Sequence, residues 1–194
     1  MGKFNFDEFL KKERRLDTIV RFGTHIRLKD ESISEHSFHT ALYAMILADL
    51  EKQFGNKVNV ERLLRTALVH DMEECLTGDI IYGFKHIHPS LTKQIKKISS
   101  QFLEELMENL PSKISKQYME LWKNAKSNEL EGKIIDGADK LEGLIYSLNE
   151  LSLGNKAFKP VIDTYIKHLK SLKLKSVNII LKQLKFDHLS LQNK

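Results

Sequence analysis

The chain has 194 residues, 41% hydrophobic and 29% charged, with a formal net charge of +5, a balance that excludes an intrinsically disordered polyelectrolyte and supports a sizeable core. Nine glycines and three prolines leave little room for a turn-dense β architecture. A single cysteine, Cys75, excludes an intramolecular disulfide framework and a cysteine-based zinc knuckle.

Helical periodicity dominates from the start. The first amphipathic helix is expected over about Phe4–Arg21. Its opening residues MGKFNFDEFL lack the basic-then-apolar pattern of a signal peptide, and Phe6 stands where a myristoylation motif wants Ser or Thr. A loop through Gly23–Ser32 leads to a helix from about Ser34 to Gln53, with Ser34 as its N-cap. That helix is apolar on nearly all sides and hence central. Its longest apolar run, Ala41–Ala48, is far too short to span a bilayer, so the expectation is a soluble, cytoplasmic protein. His36 shares a face with Thr40, Tyr43, Leu47 and Leu50, and its ring points into protein. His39, one turn on near Ile46, reads as packing or support.

After a break at Gly55–Asn59 the next helix is expected over Val60–Leu76, stopped at Thr77-Gly78. On that wheel Leu64, Ala67, Leu68 and Cys75 share a face with Asp71 at its middle, while Arg62, Arg65, Thr66 and Glu73 lie away from it. A carboxylate on an apolar face is unfavourable unless it is paired or holds a metal. His70 and Glu74 converge with Asp71 on that side. The neighbouring imidazole argues for a metal and pairing with a distant Lys or Arg argues against one, so this segment alone leaves the two readings even.

A loop with Asp79, Gly83, His86, His88 and Pro89 precedes helices at about Ser90–Asn109, Ser112–Ala125, Asn128–Leu151, Lys159–Leu172 and Lys175–Lys185. The Asn128–Leu151 helix has its main apolar stripe through Ile134, Ala138, Leu141, Ile145 and Leu148. Asp139 lies beside Ile135, Glu142 and Tyr146 on a half-apolar side, whereas Asp136, Lys140, Gly143 and Ser147 read as a solvent face. From Lys156 to Lys194 nine lysines face two aspartates and no glutamate, a local excess of +7. Ile162, Ile166 and Leu169, then Val177, Ile180, Leu181 and Leu184, keep helical spacing. A solvated lysine face is therefore preferred over a nucleic-acid surface. The expectation is all-α, one domain over 1–194 with about eight helices, a core at about 21–151 and basic helices at about 156–190.

Together His36, His70-Asp71 and Asp139 place two imidazoles and two carboxylates on three helices, a mixed N/O donor set for one divalent metal with coordination positions left open. The order H…HD…D, with SEH before the first histidine, HDMEECLTGD at the second and GADKLEGLIY around the last aspartate, resembles the HD-domain superfamily of metal-dependent phosphohydrolases. Its closest branch is the YfbR-like 5′-deoxynucleotidases, and the resemblance spans about Arg21–Leu151. It implies a helical bundle of the HD-domain type, a homodimer, and hydrolysis of (deoxy)nucleoside 5′-monophosphates to nucleoside and phosphate.

Carried over by position, the resemblance makes His36, His70, Asp71 and Asp139 ligands of one divalent transition metal: Mn, Co, Ni, Fe or Zn. It associates Glu74 and Asp79 with the attacking water or the leaving oxygen, Arg21 with the phosphate, and Lys85 with the loop after TGD. Phe22 stands where the family typically has a tryptophan packed near the sugar, which leaves the choice between deoxyribose and ribose open. His86 and His88 follow at spacings other than those of two-metal members, and read as solvent-facing loop residues. Two other activities compete: hydrolysis of a triphosphate, cyclic nucleotide or (p)ppGpp at the same metal, and a nucleic-acid-binding module whose metal is structural.

Overall fold

The computed structural model describes residues 4–85 and 87–184, with the backbone alone for Tyr82. Among these residues the chain forms ten α-helices: α1 Phe6–Glu13, α2 Ile33–Gln53, α3 Val60–Val69, α4 Glu74–Thr77, α5 Tyr82–Lys85, α6 Pro89–Met107, α7 Ser112–Lys123, α8 Leu130–Ser152, α9 Lys159–Ser171 and α10 Lys175–Gln183. Short 3₁₀ turns at Arg14–Asp17 and Lys156–Phe158 follow α1 and precede α9. The only β pairing among the described residues is an isolated bridge between Val20 and Ser32, which closes the loop between α1 and α2.

Two apolar clusters hold the helices together. In one, α2 and α8 pack along each other and are covered by α3, α9 and α10 through Leu47, Leu63, Ile134, Leu144, Ile162 and Val177. In the other, Phe9, Val69, Leu103, Leu106 and Met119 join α1, α3, α6 and α7. Ile162, Leu169, Val177 and Leu181 are buried, so α9 and α10 carry their lysines on the outside, as their spacing predicts.

Several boundaries differ from expectation. The cap of α2 is Ser32, not Ser34. The side chain of Ser32 accepts from Glu35 N at 3.2 Å and Glu35 Oε2 accepts from Ser32 N at 2.7 Å, a reciprocal capping box. Ser34 donates instead to Asp17 at 2.6 Å. The helix expected over Val60–Leu76 breaks at His70, and only α4 resumes it. Across the break the His70 ring donates through Nδ1 to the carbonyl of Ala67 at 2.7 Å, and i→i+3 bonds such as Glu74 N to Asp71 O replace the α-helical ladder.

The buried face also differs from the expected one. Leu68 is 56% exposed, whereas Thr66 and Glu73 are buried. Glu73 accepts a 2.6 Å bond from the indole N–H of Trp122, which ties the turn to α7. Gly78 ends α4 at φ +70°, a conformation costly for residues with a Cβ. The expected loop after it contains α5. Finally, the α8 face through Asp136, Gly143 and Ser147 is not a solvent face: α9 covers it, with Gly143 and Ser147 buried and His168 bonded to Asp136 at 2.8 Å. The His86 position and the end of the basic segment from Lys185 onward lie outside the described residues.

Candidate functional site

Three segments converge where α2, the α3–α4 turn and α8 meet. His36 Nε2 lies 3.4 Å from Asp71 Oδ2 and 3.6 Å from Asp139 Oδ1, and His70 Nε2 lies 3.0 Å from Asp71 Oδ2. His36, His70 and Asp139 are all buried. The nitrogens facing inward are defined by what the outward nitrogens do. His70 donates through Nδ1 to Ala67 O, and His36 through Nδ1 to Glu142 Oε2 at 2.6 Å, so in both rings Nε2 keeps the lone pair. His70 Nε2 is buried with no hydrogen-bond partner although a carboxylate oxygen stands 3.0 Å away. Two acceptors held this close call for a cation between them. His36, His70 and Asp71 can present ligand atoms within 4.8 Å of one another, and imidazole with carboxylate is a donor set for first-row divalent ions.

The carboxylates are held from behind. Asp139 turns Oδ1 toward His36 while Oδ2 accepts from Lys126 at 2.6 Å and Lys140 at 3.0 Å. Burial opposes ionisation of Asp139, but Lys126 and then Lys140 hold its carboxyl well below the usual range. Glu74 behaves oppositely. Its Oε2 is buried without a hydrogen bond, and burial, then Asp71, Asp79 and Glu73, push its carboxyl well up, with Lys85 pulling the other way. Asp79 and Lys85 are thus within electrostatic range of Glu74, both half-buried at the rim. Burial and the charge of Asp71 likewise raise Glu73, to about 7.

Arg21 and Phe22 enter from the loop before α2. Arg21 is buried and uses Nη1 for two carboxylates, Glu31 at 2.8 Å and Glu142. Glu142 is therefore shared between Arg21 and His36, and links the arginine to the imidazole. Phe22 adopts φ +56°, unusual for a residue with a side chain, and stacks on Tyr146 at 4.9 Å. The second half of α8 holds this loop in place: Glu150 accepts from the backbone of Leu28 and Lys29, and Tyr146 donates to Lys29 O at 2.6 Å.

Of the expected ligands, His36, His70 and Asp71 group within 4.8 Å and Asp139 reaches His36 at 3.6 Å, while Arg21 joins His36 through Glu142. His39 packs against Phe38 and Tyr43 instead, and His88 caps α6 through Ser90 N. Sequence reasoning missed Lys126, which sits in a loop with no pattern to mark it. It also missed the role of Glu142, although the i+3 spacing from Asp139 placed both on one side of α8.

An all-helical bundle that gathers two imidazoles and two carboxylates from three segments defines an HD-domain phosphohydrolase, a hydrolase of phosphate monoesters. The HD-domain phosphohydrolase of Listeria innocua has the same fold, with a TM-score of 0.84 at 25% identity over 97% of this chain and 92% of that one. The chain belongs to the YfbR-like 5′-deoxynucleotidase family, whose model matches residues 8–186. That match runs past Leu151 at one end, so it takes in α9 and α10, beyond the 21–151 stretch of the motif resemblance. Among relatives, a 5′-deoxynucleotidase of Vibrio vulnificus is 32% identical over 145 residues, 74% of this chain and 75% of that protein. One from Photorhabdus laumondii is 33% identical over 149 residues, 76% of each. The HD phosphohydrolase of cyanophage S-2L, solved with dA and one catalytic Zn²⁺, shares the fold at a TM-score of 0.64 and 17% identity over 94% of this chain and 97% of that one.

Proposed function

We propose that the chain hydrolyses (deoxy)nucleoside 5′-monophosphates to nucleoside and inorganic phosphate, with one divalent transition metal (Mn, Co, Ni, Fe or Zn) held by His36, His70, Asp71 and Asp139. The observation that carries this reading is the pair of Nε2 atoms aimed at the oxygens of Asp71 and Asp139, that of His70 buried without any hydrogen-bond partner. When bound, such an ion supplies positive charge for a phosphoryl oxygen and makes water more acidic. The protein's own groups do the rest. Arg21, which binds Glu31 and Glu142 through Nη1, turns its remaining guanidinium edge to the phosphate, and Lys85 adds a point charge. Water attacks phosphorus as the bond to the 5′-oxygen breaks. One of Glu74 and Asp79 takes the water's proton and the other returns a proton to the leaving oxygen.

The test is phosphate release from a panel of ribo- and deoxynucleoside 5′-monophosphates with Mn²⁺ or Co²⁺ added, beside a His70→Ala control. Turnover above that control on at least one monophosphate is the expected result. No turnover above that control on any of the monophosphates contradicts it.

The working form proposed is a cytoplasmic homodimer. No described helix is long and apolar enough to cross a membrane. Phe38, Leu42, Met45 and Ile46, at i, i+4, i+7 and i+8 of α2, remain exposed and form one apolar stripe that a second copy would cover. Sedimentation is expected to give twice the 22.5 kDa chain mass, and Phe38→Glu with Met45→Glu to return it to one. A wild-type chain that sediments as a monomer overturns this part.

A further inference from the structure

Tyr165 lies outside every motif that marks the site, yet α9 delivers it there. Its ring rests directly on the backbone of Gly143: a Cβ at that position would come within 2.6 Å of the ring carbon ζ and 2.7 Å of the hydroxyl oxygen. Only glycine leaves room for this placement. Gly143 follows Asp139 by four residues, about 6 Å along α8, and stands beside Glu142. On its other side the Tyr165 ring meets Phe22 edge-on, with centroids 6.5 Å apart and planes at 89°. The phenol is thus wedged between the helix that carries Asp139 and the residue that follows Arg21.

The Tyr165 hydroxyl has no hydrogen-bond partner among the described residues. Burial holds it protonated, and the charges of Arg21, Asp139, Glu142 and Asp79 act on it. A neutral phenol both donates and accepts. That chemistry suits a sugar hydroxyl, itself donor and acceptor. A phosphate seated at the His36–His70–Asp71–Asp139 cluster leaves the sugar, tethered through its 5′-carbon, about one helical turn away, where Tyr165 stands.

We infer that Tyr165 contacts the substrate directly, its hydroxyl bonding to the 3′-hydroxyl of the nucleotide sugar, the one ring hydroxyl that ribo- and deoxyribonucleotides share. This inference rests on the nucleotidase reading above. Gly143 is then a positioning residue that acts through Tyr165.

The experiment compares the wild-type chain with Tyr165→Phe, which keeps the ring against Gly143 and Phe22 and removes one oxygen. Deoxyadenosine 5′-monophosphate and its 2′,3′-dideoxy analogue serve as substrates. For the deoxynucleotide, KM is expected to rise about 3- to 10-fold, the cost of one uncharged hydrogen bond, with kcat within about 2-fold and an unchanged melting temperature. For the dideoxy analogue, the two proteins are expected to coincide. Calorimetric binding of deoxyadenosine to protein without added metal is expected to weaken by the same factor in Tyr165→Phe. Gly143→Ala, which displaces the ring but keeps the hydroxyl, is expected to lose deoxynucleotide affinity in the same direction.

Equal KM and equal deoxyadenosine affinity in wild type and Tyr165→Phe, with hydrolysis intact, overturn the contact and leave the nucleotidase reading standing. A loss of the same size on both substrates also overturns it, because the missing 3′-hydroxyl should have erased the difference. If the wild-type chain hydrolyses no monophosphate, the nucleotidase reading fails and the calorimetric comparison alone decides whether Tyr165 meets the sugar.

Discussion

An Asp71→Asn variant is expected to release phosphate from nucleoside 5′-monophosphates at least about 10³-fold more slowly than the wild-type chain and to be purified with less than one divalent ion per chain. The magnitude corresponds to about 4 kcal/mol of lost transition-state stabilisation, within the several kcal/mol that a correctly held cation contributes to phosphoryl chemistry. The reason lies in Asp71's position: one oxygen, Oδ2, is within 3.0 Å of His70 Nε2 and 3.4 Å of His36 Nε2, so among the described residues it is the only carboxylate oxygen that faces both rings. An amide in its place removes a charge and turns either a weak oxygen or an N–H toward two lone pairs. Asp139 cannot compensate, because its Oδ2 is occupied by Lys126 and Lys140. Activity assays, metal analysis and thermal melts on the same preparations check this together. Wild-type metal content with wild-type turnover in Asp71→Asn would remove Asp71 from the proposed ligand set.

How much of this was legible in the sequence depends on how local each cause is. His36 could be placed because a polar ring in a helix apolar on all sides has nowhere else to point. The long helices α2, α6, α7, α8, α9 and α10 were legible from periodicity to within a few residues. The α3–α4 break was not: ALVHDMEECL contains no glycine or proline, and the interruption accompanies a side-chain event, the His70 ring bonding to Ala67 O. The burial of Glu73 depends on Trp122, which is 49 residues away. The α8 face through Asp136, Gly143 and Ser147 looked polar because charged and small residues lie on it. In the folded chain the small ones are what allow α9 to approach, with Tyr165 against Gly143. Arg21 was placed by its offset from His36, but its pairing with Glu31 and Glu142 spans 10 and 121 residues, which no local pattern records.

That last pairing supports the other large effect. Glu142→Ala is expected to destabilise the fold by about 2–4 kcal/mol, because it strips Arg21 of one of two buried partners and His36 of the acceptor for its Nδ1–H. Bound metal is expected to weaken about 10- to 100-fold in the same variant, since the carboxylate behind a ligating imidazole sets its tautomer and its basicity. Glu142→Gln separates the two consequences. Its amide oxygen can still accept from His36, so the ring keeps its orientation, while the charge that balances Arg21 is gone. Burial opposes the Glu142 charge, but His36 and Arg21 outweigh it and pull the carboxyl from 4.5 down to about 2. A carboxyl lowered by folding contributes stability above its unfolded value and loses it as pH falls toward the folded one. The gap in unfolding free energy between wild type and Glu142→Gln should therefore be full at pH 6 and narrow steadily from about pH 4.5 toward pH 2. Urea denaturation at a series of pH values measures it. A gap that stays constant across that window would mean that the Glu142 charge, toward His36 and Arg21 alike, adds nothing to stability.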